Sequence, residues 1–325
     1  MNKELRRKTL FVCIILILVL VILYSGLQIL ESTIFSNNPN RIQTTSKTIT
    51  RNGVKYYPRQ DITVVLVMGI NQSGPVEPTE YNSGGAADML MLLIFDEQTK
   101  TCNVLSLNRD LMVDMPMLNR HGREVGVYYG QLAYSHTYGD GMTDSCLNVH
   151  KTVSNLLYGL RIDYYLSMNM DAIAVLNDAV GGVKVNVVDD FSAVDPDLPM
   201  GEVLLLGKQA VTFVQTRWDV GDQLNLSRME RHKEYMNGFS KALRERLDNE
   251  PEFAVTAYES VQDYIVTDCS AEVISRLEKE YGDYIFGDIL TIEGQNVLGE
   301  TYYEYYADED ALDALILKLF YSPKE

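Results

Sequence analysis

The sequence predicts an α/β fold, and three observations carry that prediction. Ile62–Gly69 and Met89–Phe95 are short, almost wholly apolar runs rich in branched side chains, as strands buried on both faces are. Thr143–Leu157 spaces apolar residues along one face of a helix, at Leu147, Val149, Val153, Leu156 and Leu157. Polar side chains then gather at strand ends, where open α/β sheets bind ligands: Asn71 beyond the first strand, Asp88 directly ahead of the second, Asn108-Arg109-Asp110 after a third. With 325 residues, 46% of them apolar, the chain can build a substantial core in one large domain or two smaller ones.

Ahead of that domain, Thr9–Leu27 carries no charged residue, and about twenty apolar residues are what a helix needs to cross a bilayer. Residues 9–30 are therefore assigned to a transmembrane helix. Lys3, Arg6, Arg7 and Lys8 precede it and Glu31 follows. The positive-inside rule then leaves residues 1–8 as a cytoplasmic tail and puts the rest outside, in a single-pass protein of the cell membrane. A cleaved signal peptide is the rival reading, but the apolar run exceeds a usual h-region and no small-x-small site follows it. The net charge of −17 and pI near 4.7 exclude nucleic acid as a partner, because polyanions bind basic stripes.

In chain order, Ser32–Gln60 is polar without a lasting period and reads as a linker, 31–60, between membrane and domain. After the first strand, Gly74–Ala87 is a Gly-, Ser- and Pro-rich loop that delivers Asp88 to the second. Gln98-Thr99-Lys100 turns the chain into Cys102–Asn108, making a hairpin. Gly130–Gly141 is a loop or short helix, and the Thr143–Leu157 helix ends by Gly159. Ile162–Met170 is a strand, Asp171 caps a helix over Ala172–Val180, and Gly181-Gly182 ends it. Val183–Val188 is the next strand, Asp189–Leu198 an acidic loop, and Gly207–Val214 a short helix. Beyond Pro251 the reading is of helices over Ala271–Tyr281 and Asp308–Phe320. The tyrosine-rich Glu300–Tyr306 fits a half-buried strand better than a sugar-binding surface. Cys102, Cys146 and Cys269 make no disulfide framework, and no spacing suggests zinc; His121, His136 and His150 read as exposed structural residues.

The densest chemistry lies in Gly207–Met236, which holds Arg217, Arg228 and Arg231. Ser227-Arg228-Met229-Glu230 has the form of a capping box and predicts a helix starting there and running to about Leu247. Arg228 and Arg231 would share a face of its first turn, where free amides and the dipole favour phosphate and guanidinium forks match phosphate oxygens. A lone arginine at a helix start more often pairs with a surface acid, so the cluster and not one member carries the reading.

Several separated blocks now point the same way: the Gly69-Ile70-Asn71 after a buried strand, Ala87-Asp88-Met89-Leu90, Leu105-Ser-Leu-Asn-Arg-Asp110, Gly181-Gly-Val-Lys-Val185 and Gly207–His232. In order and spacing they resemble the LytR-CpsA-Psr (LCP) family over roughly Ile62–Phe239. The resemblance implies an α/β/α sandwich with a central mixed sheet. It makes 61–325 one LCP-like catalytic domain outside the membrane of a Gram-positive type bacterium. The implied activity is phosphotransfer: a polyprenyl-pyrophosphate-linked glycan is moved, with one phosphate, onto a peptidoglycan sugar hydroxyl. Wall teichoic acid and capsule are both candidates for that polymer. By position the resemblance assigns Arg109, Arg217 and Arg228 to catalysis with Asp88, and Arg109, Gln215, Arg217, Arg228, Arg231 and His232 to pyrophosphate. It assigns Asp88 and Asn71 to Mg²⁺, and Asp110 to orienting Arg109.

The departures from the family pattern bear on activity. Asn71 stands where a second metal-binding aspartate is usual, Ala86 and Gln215 where arginines are, Asn225 where an aspartate is, and His232 where glutamine is. Two positive and two negative charges are lost, which rebalances the site with weaker metal affinity and reduced activity as one outcome. A non-catalytic binder or scaffold for polyprenyl-pyrophosphate lipids is the alternative from another class. A membrane-attached transcription regulator would need a cytoplasmic DNA-binding segment, and about eight residues are too few.

Overall fold

The computed structural model describes residues 47–323, apart from 224, 251–252 and several positions between 270 and 283. The span assigned at 9–30, the tail before it and most of the helix expected over Ala271–Tyr281 lie outside the described residues. Among the described residues no helix is long and apolar enough to cross a membrane. Among the described residues the chain divides into two compact units, each discontinuous in sequence: 72–76 and 168–286 form one, and 47–71, 77–167 and 287–323 form the other.

The second, strand-rich unit opens with β1 (Ile49–Arg51) and β2 (Val54–Pro58), an antiparallel hairpin turned at Asn52-Gly53, whose φ angles are 51° and 79°. Both fall in the segment read as linker. Asn-Gly supplies the two left-handed residues of a tight hairpin, a local signal that a search for hydrophobic period passes over. β2 also pairs with β15 (Tyr321–Pro323).

β3 (Ile62–Ile70), β4 (Ala87–Asp96) and β5 (Thr101–Leu107) are the predicted buried strands, with β4 and β5 in the predicted hairpin and β3 pairing antiparallel with β4. β8 (Tyr164–Asn169) lies beside β3 in the same sheet. A second hairpin, β6 (Met112–Leu118) and β7 (Glu124–Gln131), has no counterpart in the sequence reading. Its apolar alternation is broken by Gly126, Gly130 and the exposed Val125 and Val127, so it gives no buried-strand signal. A 3-10 turn (Leu132–Thr137) leads to α1 (Thr143–Leu156), which buries Cys146, Val149 and Val153. β11 (Ile265–Thr267) and β12 (Ile285–Thr291) are the edge strands of the sheet built on β3, β4 and β5, beside β8 and β5. β13 (Gly294–Leu298), β14 (Tyr303–Ala307) and α6 (Glu309–Phe320) follow, with the Asp308 carboxylate accepting from Ala311 N–H at the helix start.

The helix-rich unit is built on α2 (Met170–Ala179), α3 (Lys208–Gln215), α4 (Asn225–Asn249) and α5 (Phe253–Val261), with the hairpin β9 (Val183–Val187) and β10 (Gly201–Leu205). α2 begins two residues earlier than predicted. Asn169 is its N-cap position, and the Asp171 carboxylate accepts from Gly74 N–H at 2.6 Å in place of capping the helix. Gly181 and Gly182 end α2 with φ of 84° and 94°, as read. α4 packs along β9, and Gly238 permits the approach, since a Cβ there would strike the Lys184 carbonyl.

One further expectation is corrected. His136 and His150 are buried, not exposed: each is pulled among apolar groups and held by a main-chain carbonyl, of Gly85 at 2.7 Å and Ile162 at 3.0 Å. Cys102, Cys146 and Cys269 are buried and form no disulfide, as read.

Candidate functional site

In the strand-rich unit the site is made by a register irregularity. β3 pairs Gly69 with Met89 and Ile70 with Ala87, so Asp88 is the extra residue of a β-bulge inside β4, not a loop residue ahead of it. A bulge turns one side chain out of the alternation and is a common device beside reactive sites. On its other side β4 pairs Leu90 with Leu107 of β5, and continuing that antiparallel register sets position 88 across from 109. The sequence thus brings Asp88 and Arg109 together through strand pairing alone. The Arg109 guanidinium donates to the Asp88 carboxylate, and its Nε lies 3.4 Å from Asp110 Oδ1. Both acids are buried, Asp88 7% and Asp110 1% exposed, so a guanidinium is fixed between two carboxylates.

The backbone around the pair is pinned. Asn108 Oδ1 accepts from Asp110 N–H, the Arg109 carbonyl accepts from Ala133 N–H, and the Asp110 carbonyl accepts from Tyr305 N–H, each at 2.9 Å. Gln131 donates to Asp110 at 3.2 Å and to the Tyr303 carbonyl at 2.7 Å. Asn71 is exposed one step past the Ile70–Ala87 pair, with its N–H donating to the Ala86 carbonyl at 2.9 Å. Gln131 was not foreseen. Its partners are 21 and 172 residues away, and no local pattern announces such a contact.

In the helix-rich unit α4 starts at Asn225, and Ser227, expected as the cap, sits inside the first turn with its hydroxyl donating to Asp222 at 2.6 Å. Arg228 is therefore a first-turn residue and Arg231 belongs to the second. Arg228 is among the largest fully buried side chains of the protein and donates to Asn225 Oδ1, three residues back on the same face. Arg231 is held wholly by protein acceptors: Nε donates to the Phe213 carbonyl at 3.0 Å, Nη1 to Asp189 at 2.6 Å, and Nη2 to the Thr216 carbonyl. Its guanidinium also lies over the Phe191 ring. Burial lowers the Arg231 pKa and the Asp189 carboxylate works against that, holding the charge in place.

His232 donates Nε2–H to the Val214 carbonyl at 2.9 Å. Desolvation, then the neighbouring Arg228 charge, pushes its pKa down to about 3, so the ring is neutral across the physiological range. Gln215 is the last residue of α3. Arg217, half-buried, donates to the Gln223 carbonyl at 3.0 Å and lies over the exposed Trp218 ring. The bend between them uses left-handed backbone at Asp219, Gly221 and Gln223.

The predicted residues thus fall into two sets: Asn71, Asp88 and Arg109 in one unit, and Gln215, Arg217, Arg228, Arg231 and His232 on α3, its following loop and α4 in the other. Charged forks of this kind recognise phosphate or carboxylate. Among the described residues no group of three or more His, Cys, Asp or Glu could hold a metal ion. One carboxylate and one amide, Asp88 and Asn71, suit magnesium only as an ion that arrives on a phosphate and keeps most of its waters.

Known proteins match this chain in both sequence and fold. A relative from Enterococcus faecalis, named as the polyisoprenyl-teichoic acid–peptidoglycan teichoic acid transferase TagU, is 27% identical over 67% of this chain and 65% of its own length. Its Bacillus subtilis namesake is 24% identical over 55% and 52%. The chain spans about half to two thirds of the length of these relatives. Among solved structures, a Streptococcus agalactiae protein aligns with TM-score 0.65 at 20% identity, over 80% of this chain and 86% of that one. B. subtilis TagV aligns with TM-score 0.60 at 22% identity, over 80% and 96%. These likenesses show the fold, a mixed α/β architecture with a central mixed sheet. The profile of the LytR_cpsA_psr family matches residues 25–319, and the chain belongs to that family, the LytR-CpsA-Psr (LCP) family that its motifs resemble.

Proposed function

We propose that this protein transfers a phosphate-linked glycopolymer from a polyprenyl-pyrophosphate carrier to a sugar hydroxyl of peptidoglycan, in cell-wall assembly. Family membership and relatives named as teichoic acid–peptidoglycan transferases support the reading. The observation that carries it is Arg228, a guanidinium only 2% exposed in the first turn of α4. A guanidinium beside the amide donors of a helix start is an arrangement suited to phosphate.

In this proposal the acceptor hydroxyl attacks the phosphorus bearing the glycan. The new P–O bond replaces the bond to the bridging oxygen, polyprenyl phosphate leaves with that oxygen, and the hydroxyl's proton passes to solvent or to the leaving phosphate. Such transfer is mainly positioning and charge neutralisation. In the helix-rich unit Arg217 and Arg228 serve phosphate oxygens, Gln215 gives an amide contact, and Arg231 and His232 shape the α3–α4 junction that carries them; in the strand-rich unit Arg109 is the residue assigned to phosphate. Asp88 orients Arg109 and, with the Asn71 amide, would hold Mg²⁺, which would supply countercharge to phosphate. The proposal includes the α/β/α layering, residues 61–325 working as one catalytic domain, and a span at 9–30 with the N-terminus cytoplasmic.

The test is transfer by the detergent-solubilised full chain from a synthetic prenyl-diphosphate glycan to peptidoglycan, with and without Mg²⁺. Turnover is expected, and Arg228→Ala lowers it roughly 10²-fold, the scale of a lost oxyanion contact, with the melting transition retained. Unchanged turnover in that folded variant sinks the assignment. Carrier binding without turnover in the wild type identifies a lipid-pyrophosphate binder, the reading that Asn71, Gln215 and Asn225 favour.

A further inference from the structure

β7 exposes six consecutive residues, Glu124–Tyr129, although four of them are Val or Tyr. Val127 and Tyr129 are 61% and 52% exposed and, two apart on the same side of the β6–β7 bulge, point to one face. Tyr129 pairs directly with Asp114 of β6 across the hairpin, so both side chains share that face. β14 extends it. Leu111 bridges Tyr305 in parallel, and both are buried; the next residue of each strand, Met112 and Tyr306, therefore points the opposite way, with Asp114, Tyr129 and, two back from Tyr306, Glu304. The Tyr306 hydroxyl donates to Glu304 at 2.7 Å, and Gln295 of β13 lies directly across from Tyr306. Electrostatics agree with the parity argument: after burial, Asp114, Glu304 and Glu309 are what raise the Tyr129 phenol, and Tyr129 in turn acts on Tyr306.

We infer that the face carrying Asp114, Val127, Tyr129, Glu304 and Tyr306 binds an uncharged saccharide chain. Its composition is what such a ligand asks for. Tyrosine rings cover the apolar C–H faces of pyranoses with little entropy to lose, and carboxylates and an amide accept from or donate to hydroxyl groups. Charge selects against a polyanion, since Asp114, Glu304 and Glu309 surround the Tyr129 ring. The face is also continuous with the phosphate-directed residues of its own unit. At its buried end Gln131, paired with Met112, bonds Asp110, which flanks Arg109. A saccharide lying on the face would therefore point one end towards Arg109. Under the transfer reading, on which this last assignment rests, the chain bound here is the acceptor.

The test titrates the full chain with a β-1,4-linked N-acetylglucosamine tetrasaccharide, read by calorimetry or saturation-transfer NMR. The wild type binds. Tyr129→Ala and Tyr306→Ala each weaken binding by at least about fivefold, while Tyr129→Phe, which keeps the ring, stays within about twofold. A glycerol-phosphate oligomer shows no loss with Tyr129→Ala. In the transfer assay Tyr129→Ala raises KM for the acceptor and leaves kcat within about twofold. Absence of saccharide binding, or binding indifferent to both alanine variants, overturns the inference. So does a dimer in sedimentation that Val127→Asp dissociates, which would make the face a protein interface. Saccharide binding that follows the tyrosines in a protein without transferase activity would keep this inference and remove the transfer reading.

Discussion

Arg228 and Arg231 stand three residues apart on one helix and do different work. Arg231 spends its donors on two carbonyls and Asp189, so Arg231→Ala would orphan buried acceptors and a carboxylate. A loss of roughly 3 kcal/mol in unfolding free energy is expected, the lower end for breaking a buried ion pair, measured by urea titration. Arg228→Ala is expected to act on turnover first. His232 makes a pH prediction. Its folded pKa, about 3, lies below the unfolded value near 6.5, so the unfolded chain takes up the proton first as pH falls. The stability that neutral His232 contributes is complete above about pH 6.5 and is lost through the window down to about 3. His232→Gln should flatten the decline between pH 7 and 5 by about 1–2 kcal/mol, discounted because the ring is half-buried. An unchanged slope in that variant would mean another group, such as His136 or His150, sets the acid limb.

At the scale of elements, the β3–β4 bulge and the α2 terminus are where backbone geometry decides the outcome. Asn71→Asp sets a second carboxylate one step from the bulge, and the Mg²⁺ concentration giving half-maximal transfer is expected to fall by about tenfold; an unaltered metal titration counts against Asn71 as a ligand. Gly182 has φ of 94°, and a Cβ there would meet the Leu205 carbonyl at 2.9 Å and Leu206 at 2.8 Å. Gly182→Ala is expected to cost roughly 1–3 kcal/mol, seen as a lower Tm, because it adds strained backbone to a close contact. The sequence announced this stop, since a Gly-Gly pair after a periodic run has few other uses. The β6–β7 hairpin was silent for the reason that makes it useful: a strand whose apolar groups face water has no burial pattern to find.

For the whole molecule, the net charge of −17 predicts no retention of duplex DNA at physiological salt in a mobility-shift assay. Under the proposed anchor, deleting residues 1–30 is expected to move the protein from the membrane pellet to the soluble fraction, and continued pelleting would point to another attachment.

The sequence alone determined the buried strands β3, β4 and β5, the helices α1, α2 and α3, the family and the residue types of the candidate site. Each of these is written in local periodicity or a short motif. Tertiary structure alone decided that Asp88 is a bulge residue paired with Arg109 and that Asp189 occupies Arg231. It also decided that Ser227 lies inside α4 and that tyrosines on β7 and β14 share a face. Strand register and burial depend on partners tens to hundreds of residues away, and a side chain's role is set by which of those partners reaches it first.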